Sequence, residues 1–194
     1  MTRVARVVGE VFMRRSSRVV RNRRVVCASL LEFAKTGQLG LLHCGMSRNE
    51  LKSRLGRPKD WFCCRQPNER ETTDIWWYGD VEFHFDGDGR PDGDDHVWLI
   101  FSDHNNFSKG GSSLQISPWV IRNGLPRVVF EAALNKANIE YKIVTFPYDP
   151  NGCHVVTIGG VDFFFTENRD HESEPLLGLN GWQMSLRTGK AGEK

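Results

Sequence analysis

The chain has 194 residues, 39% of them hydrophobic, and a formal net charge of +2, which is enough sequence for one large or two small domains with a buried core. The charge is divided unevenly, because residues 1–26 hold eight arginines and one glutamate while the rest carries 18 basic and 23 acidic residues. The acidic body argues against nucleic-acid binding by the folded part and favours basic partners. No apolar run approaches the length of a membrane span, so we expect no membrane partner.

Residues 1–26 are predicted to form a basic, disordered leader. Glu10, Arg14 and Arg15 interrupt the only candidate apolar core of a secretory signal, so we expect a cytoplasmic protein. The five cysteines lack Cys-x-x-Cys spacing, which favours reduced thiols over a zinc site.

A first folded unit is predicted over residues 27–104. Its apolar spacing indicates a short helix from Ala28 to Gly37. Ser47 and Glu50 then have the spacing of a capping box, which opens a second helix that ends at Gly56. Four strands follow, over residues 61–65, 74–78, 81–85 and 96–101.

A second unit is predicted over residues 118–188, where Phe130 and Leu134 repeat the helical spacing of Leu51 and Leu55. A shorter helix or turn around 118–123 stands in place of the first helix. Strands are expected at residues 141–146, 154–158, 161–166 and 181–185. A linker over 105–117 joins the units, and residues 189–194 are predicted to form a disordered tail.

The predicted fold class is α+β, with two tandem helix-helix-β-β-β-β units. In this fold an antiparallel sheet carries helices on one face and leaves the other face open. The two four-stranded sheets either join edge to edge in one layer or stand as separate domains, and the composition of the linker permits both.

Each unit centres on a hairpin, whose turn is formed by Gly79-Asp80 in the first unit and by Gly159-Gly160 in the second. Since side chains alternate across a strand, two sets are predicted to line the core face. These are Trp76, Tyr78, Val81, Phe83 and Phe85, and Val156, Ile158, Val161, Phe163 and Phe165. The opposite face is then predicted to carry Ile75, Trp77, Glu82 and His84, and Val155, Thr157, Asp162 and Phe164.

Six side chains on that second face are predicted to form a protein-binding surface, because exposed aromatic residues with a polar rim are typical of binding hot spots. The six are Trp77, Glu82, His84, Thr157, Asp162 and Phe164. The alternative is that the linker or a partner subunit covers these side chains.

We expect no catalytic residue, metal or cofactor. Glu82 and His84 lie two residues apart on one strand with no nucleophile nearby, and Ser102, Asp103 and His104 are consecutive, so they cannot fold into a triad. The Asp- and Gly-rich segment 86–95 fails the spacing of a calcium loop.

The run Gly-Met-Ser-x-x-Glu-Leu-x-x-x-Leu-Gly-x-Pro at residues 45–58, followed by Trp-x-Tyr-Gly at 76–79, resembles a known helix-and-sheet unit. This unit is shared by the small outer-membrane assembly lipoproteins of the SmpA/OmlA type and by the β-lactamase-inhibitory protein family, which carries two tandem copies. The resemblance implies a two-layer fold with one open sheet face for protein binding. It does not imply that β-lactamase is the target.

The leading functional hypothesis is an immunity or inhibitor-type protein, a monomer or weak dimer, which covers a basic toxin or enzyme with its open sheet face. The alternatives are a self-associating structural or assembly protein, and a small-molecule or hydrolytic site between the two units.

Overall fold

The computed structural model describes residues 25–62, 75–86, 95–103, 109–146, 149–167 and 177–186. Over these ranges the α+β class is confirmed, with three helices and eleven strands. The helices are α1 (Leu30–Thr36), α2 (Arg48–Leu55) and α3 (Arg127–Lys136). The strands are β1 (Val26–Ser29), β2 (Asp60–Phe62), β3 (Ile75–Tyr78), β4 (Val81–Phe85), β5 (Val97–Ser102), β6 (Lys109–Gly110), β7 (Leu114–Ser117), β8 (Tyr141–Phe146), β9 (Asp149–Thr157), β10 (Val161–Glu167) and β11 (Leu177–Ser185).

Eight strands form one antiparallel sheet in the order β2-β3-β4-β5-β11-β10-β9-β8. The two four-stranded halves join edge to edge through β5 and β11, where Phe101 lies opposite Gln183 and Ile100 lies opposite Met184. The halves therefore form one continuous layer, which is one of the two arrangements that the sequence left open. The remaining strands form a small sheet in which β7 pairs with β1 and β6, so part of the predicted linker is folded.

Local sequence explains where the helices begin. The Ser47 hydroxyl accepts a hydrogen bond of 3.2 Å from the backbone N–H of Glu50, as the capping-box spacing predicts. In the second half, Pro126 occupies the N-cap of α3. Residues 118–123, for which we predicted a shorter helix or a turn, form turns and irregular backbone without a helix.

One face of the large sheet is buried beneath the helices, and we call it the covered face. Helix α1 contributes Phe33, whose ring lies 5.2 Å from Trp182 on β11. Helix α3 contributes Phe130, whose ring lies 4.7 Å from Phe163 on β10. Leu51 of α2 is also fully buried in this core. All three helices therefore bury their apolar residues against the same side of the sheet.

The covered face also holds a buried ion pair. Arg48 at the start of α2 donates to the Asp95 carboxylate at 2.7 Å, and the Asp95 side chain is only 3% exposed. The guanidinium carbon lies 3.9 Å from the centroid of the Phe85 ring. A cation beside a ring face is attracted by the ring quadrupole, so the pair fixes α2 against β4.

The pairing register of the second hairpin differs from our prediction by one residue. Val155 on β9 lies opposite Phe163 and is fully buried, whereas Ile158 is 67% exposed. We predicted that Val156 and Ile158 lie in the core and that Val155 and Thr157 lie on the opposite face. This prediction is wrong. The Gly160 N–H donates to the Thr157 carbonyl at 2.8 Å, which closes a loop of three residues, and the additional residue reverses which β9 side chains face the core.

Candidate functional site

The opposite side of the sheet, which we call the open face, carries a row of directly paired residues that crosses all eight strands. Strand pairing places each member beside the next, and side-chain alternation turns them all away from the covered face. In sheet order this central row consists of Asp60, Trp77, Glu82, Phe101, Gln183, Asp162, Val156 and Lys142. Acidic and aromatic residues alternate from Asp60 to Phe101, and the neutral Gln183 separates Phe101 from Asp162.

Aromatic rings form a connected chain over the centre of the open face. The ring centroid of His84 lies 5.9 Å from that of Trp98 and 6.3 Å from that of Phe101. The Phe101 ring lies 6.2 Å from Phe164, and the Phe164 ring lies 4.7 Å from His154. We call these five residues the aromatic chain. All five are partly exposed, so the rings lie at the surface of the open face.

The aromatic chain crosses the junction between the two halves, where Gly181 on β11 lies opposite Phe164 on β10. A Cβ atom added to Gly181 would lie 3.2 Å from a carbon of the Phe164 ring and 2.8 Å from the Ser102 carbonyl oxygen. Glycine at this position therefore leaves room for the Phe164 ring beside Phe101.

Each half contributes one carboxylate–imidazole pair to the open face. Nε2 of His84 lies 2.8 Å from the Glu82 carboxylate, and Nδ1 of His154 lies 2.9 Å from Oδ2 of Asp162. The first pair lies within β4, whereas the second joins β9 to β10. The side-chain exposures are 12% for Glu82 and 9% for Asp162. The two carboxylates therefore flank the centre of the aromatic chain from either side.

Asp162 is the more enclosed of the two carboxylates. Its Oδ2 also accepts a long hydrogen bond of 3.4 Å from the Gln183 amide. Its Oδ1 is buried and has no hydrogen-bond partner. A buried carboxylate oxygen without a donor is unfavourable, so this atom lowers the stability that Asp162 contributes to the fold.

The structure brings five of the six predicted binding residues onto the open face: Trp77, Glu82, His84, Asp162 and Phe164. Thr157 was placed there wrongly. It lies on the covered side with 4% exposure, and its hydroxyl donates to the Val161 carbonyl at 3.3 Å. The three-residue loop that follows Thr157 is the cause, because it shifts β9 by one residue against β10.

Four residues of this surface were not predicted as site residues: Trp98, Phe101, His154 and Gln183. Phe101 and Gln183 face each other across the β5–β11 pairing, which joins segments far apart in the sequence. His154 was missed for the same reason that Thr157 was misplaced. Phe101 could have been predicted on the open face from the alternation of side chains along the predicted strand at 96–101.

Two of the three described free thiols, Cys44 and Cys153, are partly or fully buried. Burial raises the pKa of Cys44 to about 12, and its Sγ lies 3.2 Å from the Met184 carbonyl oxygen. Cys153 is buried in the core. Since the thiolate is the reactive form, the raised pKa makes Cys44 a poor nucleophile at neutral pH. Within the described ranges, no three His, Cys, Asp or Glu side chains are grouped as metal ligands.

Comparison of the chain with family models, with curated proteins and with solved structures finds no match. In the part of the chain that the structure describes, every helix is too short or too polar to cross a membrane. The geometry and chemistry of the open face are therefore the basis for a functional proposal.

Proposed function

We propose that this protein is a protein-binding module that docks its partner on the open face. The observation that carries the proposal is the aromatic chain, which presents five partly exposed rings at the centre of a rigid sheet. Interface hot spots are enriched in large aromatic groups near the centre of a surface, surrounded by polar residues. A sheet also holds these groups in place before binding, which lowers the entropic cost of association.

We further propose an inhibitor or immunity role in the cytoplasm, as a monomer or weak dimer acting on a basic toxin or enzyme. Outside residues 1–26 the chain has 18 basic and 23 acidic residues. Glu82 and Asp162 add negative charge to the open face itself. Opposite charges accelerate the encounter of such partners. The resemblance of residues 45–79 to the tandem inhibitory fold supports the same role, with the two halves as two copies of one unit.

Self-association is the second candidate, and the edge strand β8 favours it. Among the described strands, β8 pairs with β9 alone, and Ile143 on β8 is 44% exposed. An uncovered sheet edge can pair with the same edge of a second copy. Dimerisation through β8 would leave the aromatic chain available.

Affinity capture from a lysate of the source organism tests the docking face. The bait is the full chain, and the test variant carries Trp77→Asp and Phe164→Asp. The control variant carries Val128→Asp, at a helix α3 residue that is 61% exposed. The two substitutions in the test variant add negative charge to the open face. The control adds the same charge to α3, on the opposite side of the sheet.

The expected result is one basic partner retained by the unaltered chain and by the control but lost from the test variant. Purified partner should then bind the unaltered chain in a one-to-one complex. Circular dichroism establishes that both variants are folded. Equal retention by the test variant and the control would refute the docking face. A dimer that dissociates on substitution of Ile143, without any captured partner, would favour self-association.

A further inference from the structure

A cleft of about 420 Å³ lies at the β2–β3 end of the large sheet. Three segments line most of it: residues 57–59 after α2, residues 77–79 at the end of β3, and residues 110–113 between β6 and β7. The small sheet therefore completes a cavity that the large sheet and α2 begin. Its volume falls within the range of small-molecule sites.

Hydrogen bonds hold the three segments in place. The Tyr78 hydroxyl donates to the Gly56 carbonyl at 2.7 Å, which fixes the chain after α2 against β3. The Asp80 N–H donates to the Lys109 carbonyl at 2.6 Å. A Cβ atom on Gly79 would clash with that same carbonyl, so the two turns are in close contact. The cleft is therefore formed before any ligand arrives, which lowers the entropic cost of binding.

The charge of the cleft differs from that of the folded body. Arg57 and Lys59 line it, and none of the described residues that line it is acidic. Arg57 already has another interaction, so Lys59 is the cation that we assign to a ligand. A cation that follows a helix is also favoured by the helix dipole. Lys136, in the last turn of α3, has that role without a cleft and serves as a comparison.

A serine and a tryptophan extend the chemistry beyond simple charge. Ser113 lines the cleft and is 7% exposed, and its carbonyl accepts the Val26 N–H at 2.9 Å. Among the described residues, its hydroxyl has no hydrogen-bond partner, so it can donate to a phosphate oxygen. Trp77 lines the same cleft and is partly exposed. Planar rings stack on such a side chain.

We propose that this cleft binds a small phosphate monoester that carries a planar aromatic ring, which is the chemistry of a mononucleotide. Lys59 and the Ser113 hydroxyl bind the phosphate, and the ring stacks on Trp77. Lysine is a common phosphate ligand because its ammonium group is a compact charge. The inference is independent of the docking proposal, since it requires neither the aromatic chain nor a protein partner.

Three small molecules test the two contacts separately. Adenosine 5′-monophosphate has both groups, adenosine lacks the phosphate, and ribose 5-phosphate lacks the planar ring. Each is titrated into the full chain, and binding is followed by the amide chemical shifts of Gly79, Gly111 and Ser112. These amides lie in the cleft, so the arginines of residues 1–26 do not contribute to the measured affinity.

The monophosphate should bind about tenfold more tightly than either fragment, because it alone makes both contacts. Lys59→Gln should lower the affinity for the monophosphate about tenfold and leave the affinity for adenosine unchanged. Trp77→Leu should do the reverse, with about fivefold weaker binding of adenosine and unchanged binding of ribose 5-phosphate. Ser113→Ala should weaken binding of the monophosphate about fivefold.

Lys136→Gln is the matched control and should leave all three affinities unchanged, because Lys136 is exposed at the end of α3. The amide spectrum of each variant establishes that it is folded. Equal binding of the monophosphate and adenosine would overturn the proposal, as would an equal loss in Lys59→Gln and Lys136→Gln. A 5′-phosphorylated trinucleotide that binds the cleft more tightly than the monophosphate would refute the assignment to a free small molecule.

Discussion

The two faces of the eight-stranded sheet are built from the same strands but hold their charges differently. On the covered face, Arg48 and Asp95 neutralise each other at 2.7 Å beneath aromatic rings. On the open face, Nε2 of His84 lies 2.8 Å from the Glu82 carboxylate and Nδ1 of His154 lies 2.9 Å from the Asp162 carboxylate. The covered pair joins two permanent charges in the core, whereas each open pair joins a carboxylate to a partly exposed imidazole. Substitutions of charged residues should therefore cost more stability on the covered face than on the open face.

The largest difference in the free energy of unfolding between the two faces should come from two adjacent phenylalanines on β10. Phe163 is fully buried against Phe130, and Phe164 lies in the aromatic chain. Phe163→Ala should lower the free energy of unfolding by about 3–5 kcal/mol, because it removes a core ring and leaves a cavity. Phe164→Ala should cost about 1 kcal/mol or less, since its ring is partly exposed.

Urea unfolding monitored by circular dichroism measures both changes. The adjacent position and identical substitution make each variant the control for the other. Similar losses in the two variants would show that the open face is also covered and that its rings have a structural role.

Substitutions in the charged pairs should also lower the free energy of unfolding more on the covered face than on the open face. Arg48→Met leaves the Asp95 carboxylate buried without its cation and should cost about 3 kcal/mol. His84→Gln keeps a donor near the partly exposed Glu82 and should cost less than about 1 kcal/mol. Thermal unfolding at neutral pH compares the two variants.

A matched control is Arg54→Met, which breaks the exposed pair between Arg54 and Glu50 on α2. It should cost about 0.5 kcal/mol or less. A loss in Arg48→Met no greater than that in Arg54→Met would contradict the importance of the buried ion pair.

The pairing register of β9 can be tested by two neighbouring valines. Val155 is fully buried opposite Phe163, whereas Val156 is partly exposed opposite Asp162. Val155→Asn buries an amide in the apolar core and should cost about 2–3 kcal/mol. Val156→Asn should cost less than about 1 kcal/mol. Denaturant unfolding of both variants would expose a register error directly, because the reversed order would restore the arrangement expected from the sequence.

The register of β9 and β10 shows what local sequence patterns can predict and what they cannot. Alternation predicted which side of β10 is buried, because Val161, Phe163 and Phe165 stand two residues apart around a continuous strand. The same pattern failed on β9, since Gly159 and Gly160 are compatible with loops of two or three residues. A difference of one loop residue moved Thr157 from the predicted site into the covered side.

The centre of the candidate site was harder to predict for a different reason. Trp77, Glu82 and His84 follow from one hairpin, and alternation places them together on β3 and β4. The contact between Phe101 and Phe164 requires β5 to lie beside β11, which pair over a long sequence separation. Hydrophobic periodicity describes each strand by itself and contains no information on which strands become neighbours.

Two thiols, Cys27 and Cys44, should differ in chemical reactivity because they differ in exposure. Cys27 on β1 is exposed, whereas burial raises the pKa of Cys44 from 9.0 to about 12. Three units of pKa lower the thiolate fraction at pH 8 about a thousandfold, so Cys44 should react with a disulfide reagent far more slowly than Cys27. The experiment uses a chain with Cys63→Ser and Cys64→Ser, and mass spectrometry of the labelled protein assigns each site.

The raised pKa of Cys44 also predicts how the free energy of unfolding changes with pH. The unfolded chain loses the Cys44 proton near pH 9.0, whereas the folded chain keeps it until about pH 12. The stabilisation is therefore complete below pH 9 and is lost as the pH rises toward 12, because the unfolded state gains from deprotonation first. Cys44→Ala should make the alkaline decline in unfolding free energy less steep than it is in the unaltered chain. Rapid labelling of Cys44 at pH 8, with equal alkaline slopes in Cys44→Ala and the unaltered chain, would mean that the contact between Cys44 and Met184 of β11 opens to solvent.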